Sequence, residues 1–292
     1  MRGGLGNQMF QFSYAYLISR DWKNSEIIFD IRSYNDYYWP FSLTDFNLDI
    51  NYSIAPNKKQ KYDLAISKFH IFQKLYHVFS GRYFTNFRKK DLKKKHLFTG
   101  IYCDRPLITF GDYVLFGYFE NADILIPVRN DLCRLFTFDS DKTRFYISKL
   151  ESDPILVSIR ILSDKEEKQK KKENKLQNKS FYFECLRKIN DNQKRQIVVM
   201  SNNVEKVKKE YQLELKFSNV LYIENCSANE QMEIMKHCKD FVISNSTFSW
   251  WGSFMGSYLN EGHVYAPKTW YKKTNINDTK LFFKEMIIVD FE

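Results

Sequence analysis

The chain has 292 residues, 43% hydrophobic and 17% aromatic, with 45 Lys and Arg against 35 Asp and Glu for a net charge of +10. A chain of this kind fills one large or two ordinary domains around a real core, which excludes a disordered protein. No apolar run is long enough to span a bilayer, no signal-peptide pattern opens the chain, and five scattered cysteines (Cys103, Cys133, Cys185, Cys226, Cys238) show no CxxC spacing, so a reducing, cytoplasmic setting is expected rather than a disulfide framework or a zinc knuckle.

The chain opens on "RGGLGNQ" (2–8), a glycine turn feeding a helix expected over 6–20. A turn of this kind normally follows a β-strand. Only Met1 and Arg2 precede it, so the first strand is expected to be missing from this chain or from its fold. The glycines would let a ligand approach the backbone, with Gly4, Gly6 and Asn7 as candidate contacts. "GGLGN" falls short of GxGxxG, and no acidic residue completes a dinucleotide fingerprint. "IIFD" (27–30) reads as a strand, "LAISKFHIFQKLYHVF" (64–79) as an amphipathic helix, "YVLFGYF" (113–119) as a strand and 121–136 as a helix. Residues 1–150 therefore read as an N-terminal α/β domain, with a boundary near 152–154.

From 151 to 292 the rhythm is regular. Short β-branched runs at 155–160 ("ILVSIR"), 197–200 ("IVVM"), 220–223 ("VLYI"), 241–243 ("FVI") and 263–267 ("HVYAP") read as buried strands. Helical patterns at 181–189, 204–211 and 229–238 lie between them, and another helix begins near 246. Strands alternating with helices of about ten residues argue for parallel βαβ units, a doubly wound half-protein.

The positive charge is concentrated. "RKKDLKKKH" (88–96) holds six cations and one carboxylate, and "KEEKQKKKENKLQNK" (165–179) holds seven lysines and three glutamates. Such runs suit an anionic membrane, a polyanionic substrate or nucleic acid, or else they are solvated surface. No stacking-aromatic RNA motif or helix-turn-helix pattern accompanies them, so no specific nucleic-acid partner is expected.

"SNSTFSWWG" (244–252) follows a buried strand and opens a helix at the carboxyl end of a parallel sheet, where ligands bind in open α/β folds. Ser246 or Thr247 suits the N-cap, and the amides there with the helix dipole would hold an anion. Ser246, Thr247 and Phe248 are thus candidates for a diphosphate, or an ordinary capped turn. Trp250 and Trp251 read first as core packing. Arg160 ends a strand that is otherwise apolar, at the same sheet edge, where its planar fork suits a phosphate or a carboxylate such as Asp164. Ile161 is expected beside it.

Three segments in order, "GGLGNQMFQFSYAY", "GYFENADIL" and "CKDFVISNSTFSWWGSF…YAPKTWY", resemble glycosyltransferase family 11, the inverting α-1,2-fucosyltransferases of bacterial surface glycans. The likeness spans nearly the whole chain. It implies a GT-B-like architecture of two Rossmann-like domains, with GDP-fucose as co-substrate in the C-terminal one (151–292) and the acceptor on the N-terminal one (1–150). It also implies no cofactor and no metal, and transfer of L-fucose to the 2-hydroxyl of a galactose-containing glycan, lipid-linked if assembled at the inner face of the membrane. Where the family pattern is roughly His-x-Arg-Arg-Gly-Asp, this chain reads "SIRILSD". Ser158 stands at the His, Arg160 matches the first Arg, Ile161 replaces the second, and Asp164 comes one place late. Arg160 and Asp164 are the catalytic candidates, Asp164 as the acceptor base. The family's Ser-Asp-Asp-like turn is here Ser201, Asn202 and Asn203, the last two being further donor-binding candidates. The alternative is a diverged sugar-nucleotide-binding relic of the same fold. "DSD" (139–141) matches the DxD by which some glycosyltransferases hold a metal, but reads as a helix-ending turn.

Overall fold

A computed structural model describes residues 1–22, 24–34, 38–55, 95–100, 112–162, 178–190, 194–270 and 278–290. The amphipathic pattern at 64–79 and all but the last two residues of each lysine run lie outside them. The chain divides into two compact units, Met1–Phe41 with Asp49–Asn130, and Ser42–Leu48 with Asp131–Glu292. Residues 131–150, grouped by sequence with the first half, thus pack within the second unit.

The first unit begins with helix α1 (Leu5–Ser19), which buries Met9, Phe10, Phe12 and Tyr14 completely. Strands β1 (Ile27–Phe29) and β2 (Tyr52–Ile54) pair in parallel, as do β3 (Lys95–Gly100) and β4 (Asp112–Gly117). The helix expected over 121–136 is broken into α2 (Ala122–Leu125), a 3-10 turn (Ile126–Val128) and α3 (Arg129–Leu135). Pro127 sits in that turn, where its ring and missing N–H interrupt the helical ladder.

The second unit is a six-stranded parallel sheet built from β5 (Ile155–Ile159), β6 (Ile197–Ser201), β7 (Val220–Tyr222), β8 (Asp240–Ile243), β9 (Val264–Pro267) and β10 (Met286–Val289). Every residue of β5 and β8 is buried, because helices cover both faces of such a sheet. The spatial order is β10-β9-β8-β5-β6-β7. Numbered from β5, that is the doubly wound order 3-2-1-4-5-6. The chain winds outward through β6 and β7, then crosses back to β8, so the winding reverses between β5 and β8.

Helices α4 (Asp141–Ile147), α5 (Lys179–Ile189), α6 (Val204–Tyr211), α7 (Ala228–Met235) and α8 (Thr247–Leu259) complete the unit. Trp250 and Trp251 are fully buried, as core packing requires. Trp250 stacks on Phe254 with ring centroids 4.5 Å apart, Trp251 meets Phe136 edge-on at 5.5 Å, and the Trp250 indole N–H donates to the Leu281 carbonyl at 2.7 Å. A buried indole needs such a partner.

The "DSD" stretch begins a helix rather than ending one. Ser140 caps α4 in a reciprocal capping box with Thr143, which satisfies two amides at once. Asp139 and Asp141 both pair with Arg144.

Candidate functional site

The reversal of winding brings the carboxyl ends of β5 and β8 side by side, and the predicted residues of the second unit gather there. Arg160 follows β5 directly and is partly buried. Across from it, β8 runs into the turn Ser244–Asn245–Ser246 and then α8. The Ser244 N–H donates to the Ser158 carbonyl at 3.2 Å, and the Asn245 side chain donates to the Trp270 carbonyl at 3.0 Å, which fixes the turn.

Ser246 occupies the N-cap of α8, but its side chain makes no capping bond, and the first turn carries no acidic residue. The positive end of the helix dipole is therefore left unneutralised by the helix's own side chains, the condition for anion binding. Ser246 is buried, while Thr247 and Phe248 are partly exposed.

Asn202 and Asn203 follow β6 at the same end of the sheet, and both side chains are engaged locally. Asn203 caps α6 by accepting the Lys206 N–H at 3.0 Å. Asn202 brackets the backbone of Ile161, accepting its N–H at 2.9 Å and donating to its carbonyl at 2.8 Å. Ile161 does not stand free beside Arg160: its side chain packs, partly buried, against the core of the second unit. The apolar side chain follows the core rather than the polar edge. Asp164 lies outside the described residues.

A group of hydroxyls lies beneath this edge. Ser158 and Ser249 share a hydrogen bond of 2.7 Å, and Ser249 is 3.3 Å from Ser244. Tyr182 of α5, also buried, presents its hydroxyl to the Ser244 side chain and the Arg160 backbone. Burial holds the Tyr182 phenol well above its ordinary pKa, so it stays protonated and able to donate. Sequence reasoning missed Tyr182, Ser244 and Ser249 as contributors. The one signal was hydroxyls in a segment whose apolar residues mark it as core.

Gly4, Gly6 and Asn7 belong to the first unit. Gly4 is the N-cap of α1, and a Cβ there would make only ordinary contact with Trp39. Gly3, not among the candidates, is the glycine the turn demands: its φ is +98°, and a Cβ would overlap the Asn7 side chain. Its carbonyl accepts from Gln8 Nε2 at 3.1 Å and Tyr34 Oη at 2.8 Å, so the turn is held by side chains. In "GYFEN", Phe119 adopts φ 57° while buried and stacked 4.3 Å from Tyr14, a left-handed backbone uncommon for a bulky residue.

Among the described residues, no three His, Cys, Asp or Glu side chains cluster as a metal site. No described helix is long and apolar enough to cross a membrane.

A family model described as glycosyl transferase family 11 matches residues 1–289. Among curated proteins, the chain is 26% identical to the O-antigen biosynthesis glycosyltransferase WbnK of Escherichia coli, covering 94% of this chain and 95% of the relative. It is 25% identical to an alpha-1,2-colitosyltransferase of Escherichia coli, covering 95% and 93%. Solved structures align at lower similarity. A glycosyl transferase family 9 protein of Veillonella parvula gives a TM-score of 0.48 at 14% identity, covering 100% of this chain and 84% of that one. NodZ alpha-1,6-fucosyltransferase soaked with GDP-fucose gives 0.45 at 8%, covering 87% and 90%.

Proposed function

This chain belongs to glycosyl transferase family 11 and is a glycosyltransferase, and on that premise we propose that it transfers L-fucose from GDP-fucose to the 2-hydroxyl of a galactoside in a surface glycan. The observation that carries the proposal is that Arg160 follows β5 while the turn into α8, whose N-cap side chain makes no capping bond, follows the adjacent strand β8, at the reversal point of the second unit's sheet. An open parallel sheet binds its ligand at such a reversal point, and an arginine after one strand with a helix N-terminus after the next suits a diphosphate. In this reading the second unit holds the donor, the first holds the acceptor, and the two form a GT-B enzyme.

The acceptor hydroxyl attacks the anomeric carbon of fucose as the bond to the β-phosphate oxygen breaks, inverting that carbon. The hydroxyl proton passes to a carboxylate base, for which Asp164 is the candidate. The transition state has oxocarbenium character, as in glycoside hydrolysis. Negative charge grows on the departing GDP. Arg160 and the amides of Ser246, Thr247 and Phe248 would offset it without a metal, and one such donor is worth on the order of 10²–10³ in rate.

The titles of the two curated relatives, one in O-antigen biosynthesis and one an alpha-1,2-transferase, support a surface-glycan acceptor and the linkage to the 2-hydroxyl. An acceptor carried on lipid would place the work at the cytoplasmic membrane face, where the lysine runs could touch anionic lipid.

Calorimetry with GDP-fucose, GDP-colitose, GDP-mannose and UDP-sugars, followed by turnover on a β-galactoside, tests the proposal. GDP-fucose is expected to bind best and to give a 2-linked fucosyl product. Preference for GDP-colitose would overturn the donor while leaving the transfer, and binding of UDP-sugars alone would overturn the site. Binding of GDP-fucose without turnover would favour the relic.

A further inference from the structure

Ser158, Ser244 and Ser249 are 6%, 0% and 2% exposed; Ser158 lies between Val157 and Ile159 on β5, Ser249 between Phe248 and Trp250 on α8, and Ser244 directly follows Ile243 of β8. A buried hydroxyl is costly unless bonded, and replacing all members of a bonded set by apolar groups of the same shape is nearly neutral for stability. Packing alone therefore gives no reason for three serines here. Hydrogen bonds, unlike apolar contact, fix direction and spacing. These connect the three elements that frame the crevice. Ser158 lies on β5 two residues before Arg160. Ser244 ends β8. Ser249 is the third residue of α8, in its first turn. The Ser249 hydroxyl is the hub, within hydrogen-bonding distance of both others. Tyr182 extends the set to the Arg160 backbone.

We propose that Ser249 is a positioning residue for the donor diphosphate: its hydroxyl, bonded to Ser158 and Ser244, sets the separation between Arg160 and the first amides of α8. The inference rests on the donor-site reading above. Ser249 touches no phosphate itself; it holds apart, at the right distance, the two groups that do. A misplacement of about 1 Å in such a frame can cost on the order of 10²-fold.

The test reads GDP affinity by calorimetry, well below the melting temperature. Ser249→Ala is expected to weaken GDP about tenfold, and Ser158→Ala by a similar factor. The double variant should be no weaker than Ser249→Ala, because both changes cut the same link. Ser249→Thr, which keeps the hydroxyl, should recover most of the affinity. Ser253→Ala is the control: Ser253 is a buried serine of the same helix whose hydroxyl bonds the Trp250 carbonyl at 3.0 Å, and its loss should leave GDP affinity unchanged. Wild-type affinity in Ser249→Ala, additive losses in the double variant, or an equal loss in Ser253→Ala would each overturn the proposal. Should Ser249→Ala fail to fold, Ser158→Ala decides by the same comparison. Arg160→Ala separates this idea from its premise. A folded Arg160→Ala protein that binds GDP like wild type overturns the donor site, whereas a loss there with none in the serine variants overturns only the role of Ser249.

Discussion

The side chain of Asn202 holds both backbone groups of Ile161, its oxygen taking the N–H at 2.9 Å and its nitrogen reaching the carbonyl at 2.8 Å. The amide accepts with one atom and donates with the other. A carboxylate at this position keeps the first bond and turns the second into a repulsion between oxygens. Asn202→Asp is therefore expected to lose about 0.5–1 kcal/mol of stability at neutral pH, the low part of the range for one hydrogen bond because the site is exposed. Part of that loss should return when acid protonates the new carboxyl and restores a donor. Urea unfolding of variant and wild type across pH measures the difference, and a constant gap would show that the second bond contributes nothing.

The same clamp bears on Ile161. A reading from sequence sets Ile161 beside the phosphate, where an arginine would add charge stabilisation. Packed against the core of the second unit, the side chain has a different task. Ile161→Arg must pull an apolar side chain out of that contact or push a guanidinium into it. We expect a loss of roughly 1 kcal/mol in stability, the scale of a partly buried aliphatic group, and no gain in turnover or GDP affinity. A tenfold rise in rate would mean that the side chain reaches the crevice after all.

Much of the second unit was legible because parallel strands buried on both faces read as unbroken β-branched runs, and five of its six strands stand out that way. The edge strand Met286–Val289 was not anticipated, although its Ile-Ile-Val run is as β-branched as the others; in the structure Ile287 and Ile288 are 39% and 37% exposed. Strand order was illegible, since it depends on which runs pair across long separations. The Ser158–Ser249 bond joins residues 91 positions apart, beyond any local pattern. "DSD" was misread because a three-residue motif carries no direction. The capping box that decides it needs Thr143, two residues further on.

Glycines in α8 and just after it grade the packing there. A Cβ on Gly252 would meet the end of the Met235 side chain, which can swing away. One on Gly256 would come within 2.8 Å of the Met235 carbonyl and also overlap the Phe241 ring. One on Gly262 would overlap the backbone carbonyl of Lys239, which cannot yield without moving the entry to β8. Alanine substitutions should therefore destabilise in the order Gly262, Gly256, Gly252, with the first two costing about 1–3 kcal/mol or more as overpacking does. Chemical denaturation of the three single variants checks the order, and equal losses would contradict it.

Glu233 should make the second unit acid-sensitive. Burial by itself would raise its pKa, but His237, Lys236 at 2.7 Å and the Phe138 N–H at 2.9 Å outweigh burial and hold the carboxyl below its ordinary 4.5. A depressed folded-state pKa contributes stability that is present in full above the unfolded value and lost as pH falls through the lower folded value. Wild-type stability should thus decline from about pH 4.5 downward. Lys236 is itself buried, donating to the Phe136 carbonyl at 3.0 Å beside the end of α3. Glu233→Gln strands that ammonium without its carboxylate, so it should cost about 3 kcal/mol at neutral pH, the scale for breaking a buried pair. The variant should also unfold with a flatter dependence on pH between 5 and 3, because the titrating group is gone. Urea midpoints measured across that window give both quantities. A variant as stable as wild type at pH 7, or one that keeps the full acid slope, would assign the sensitivity to other carboxylates.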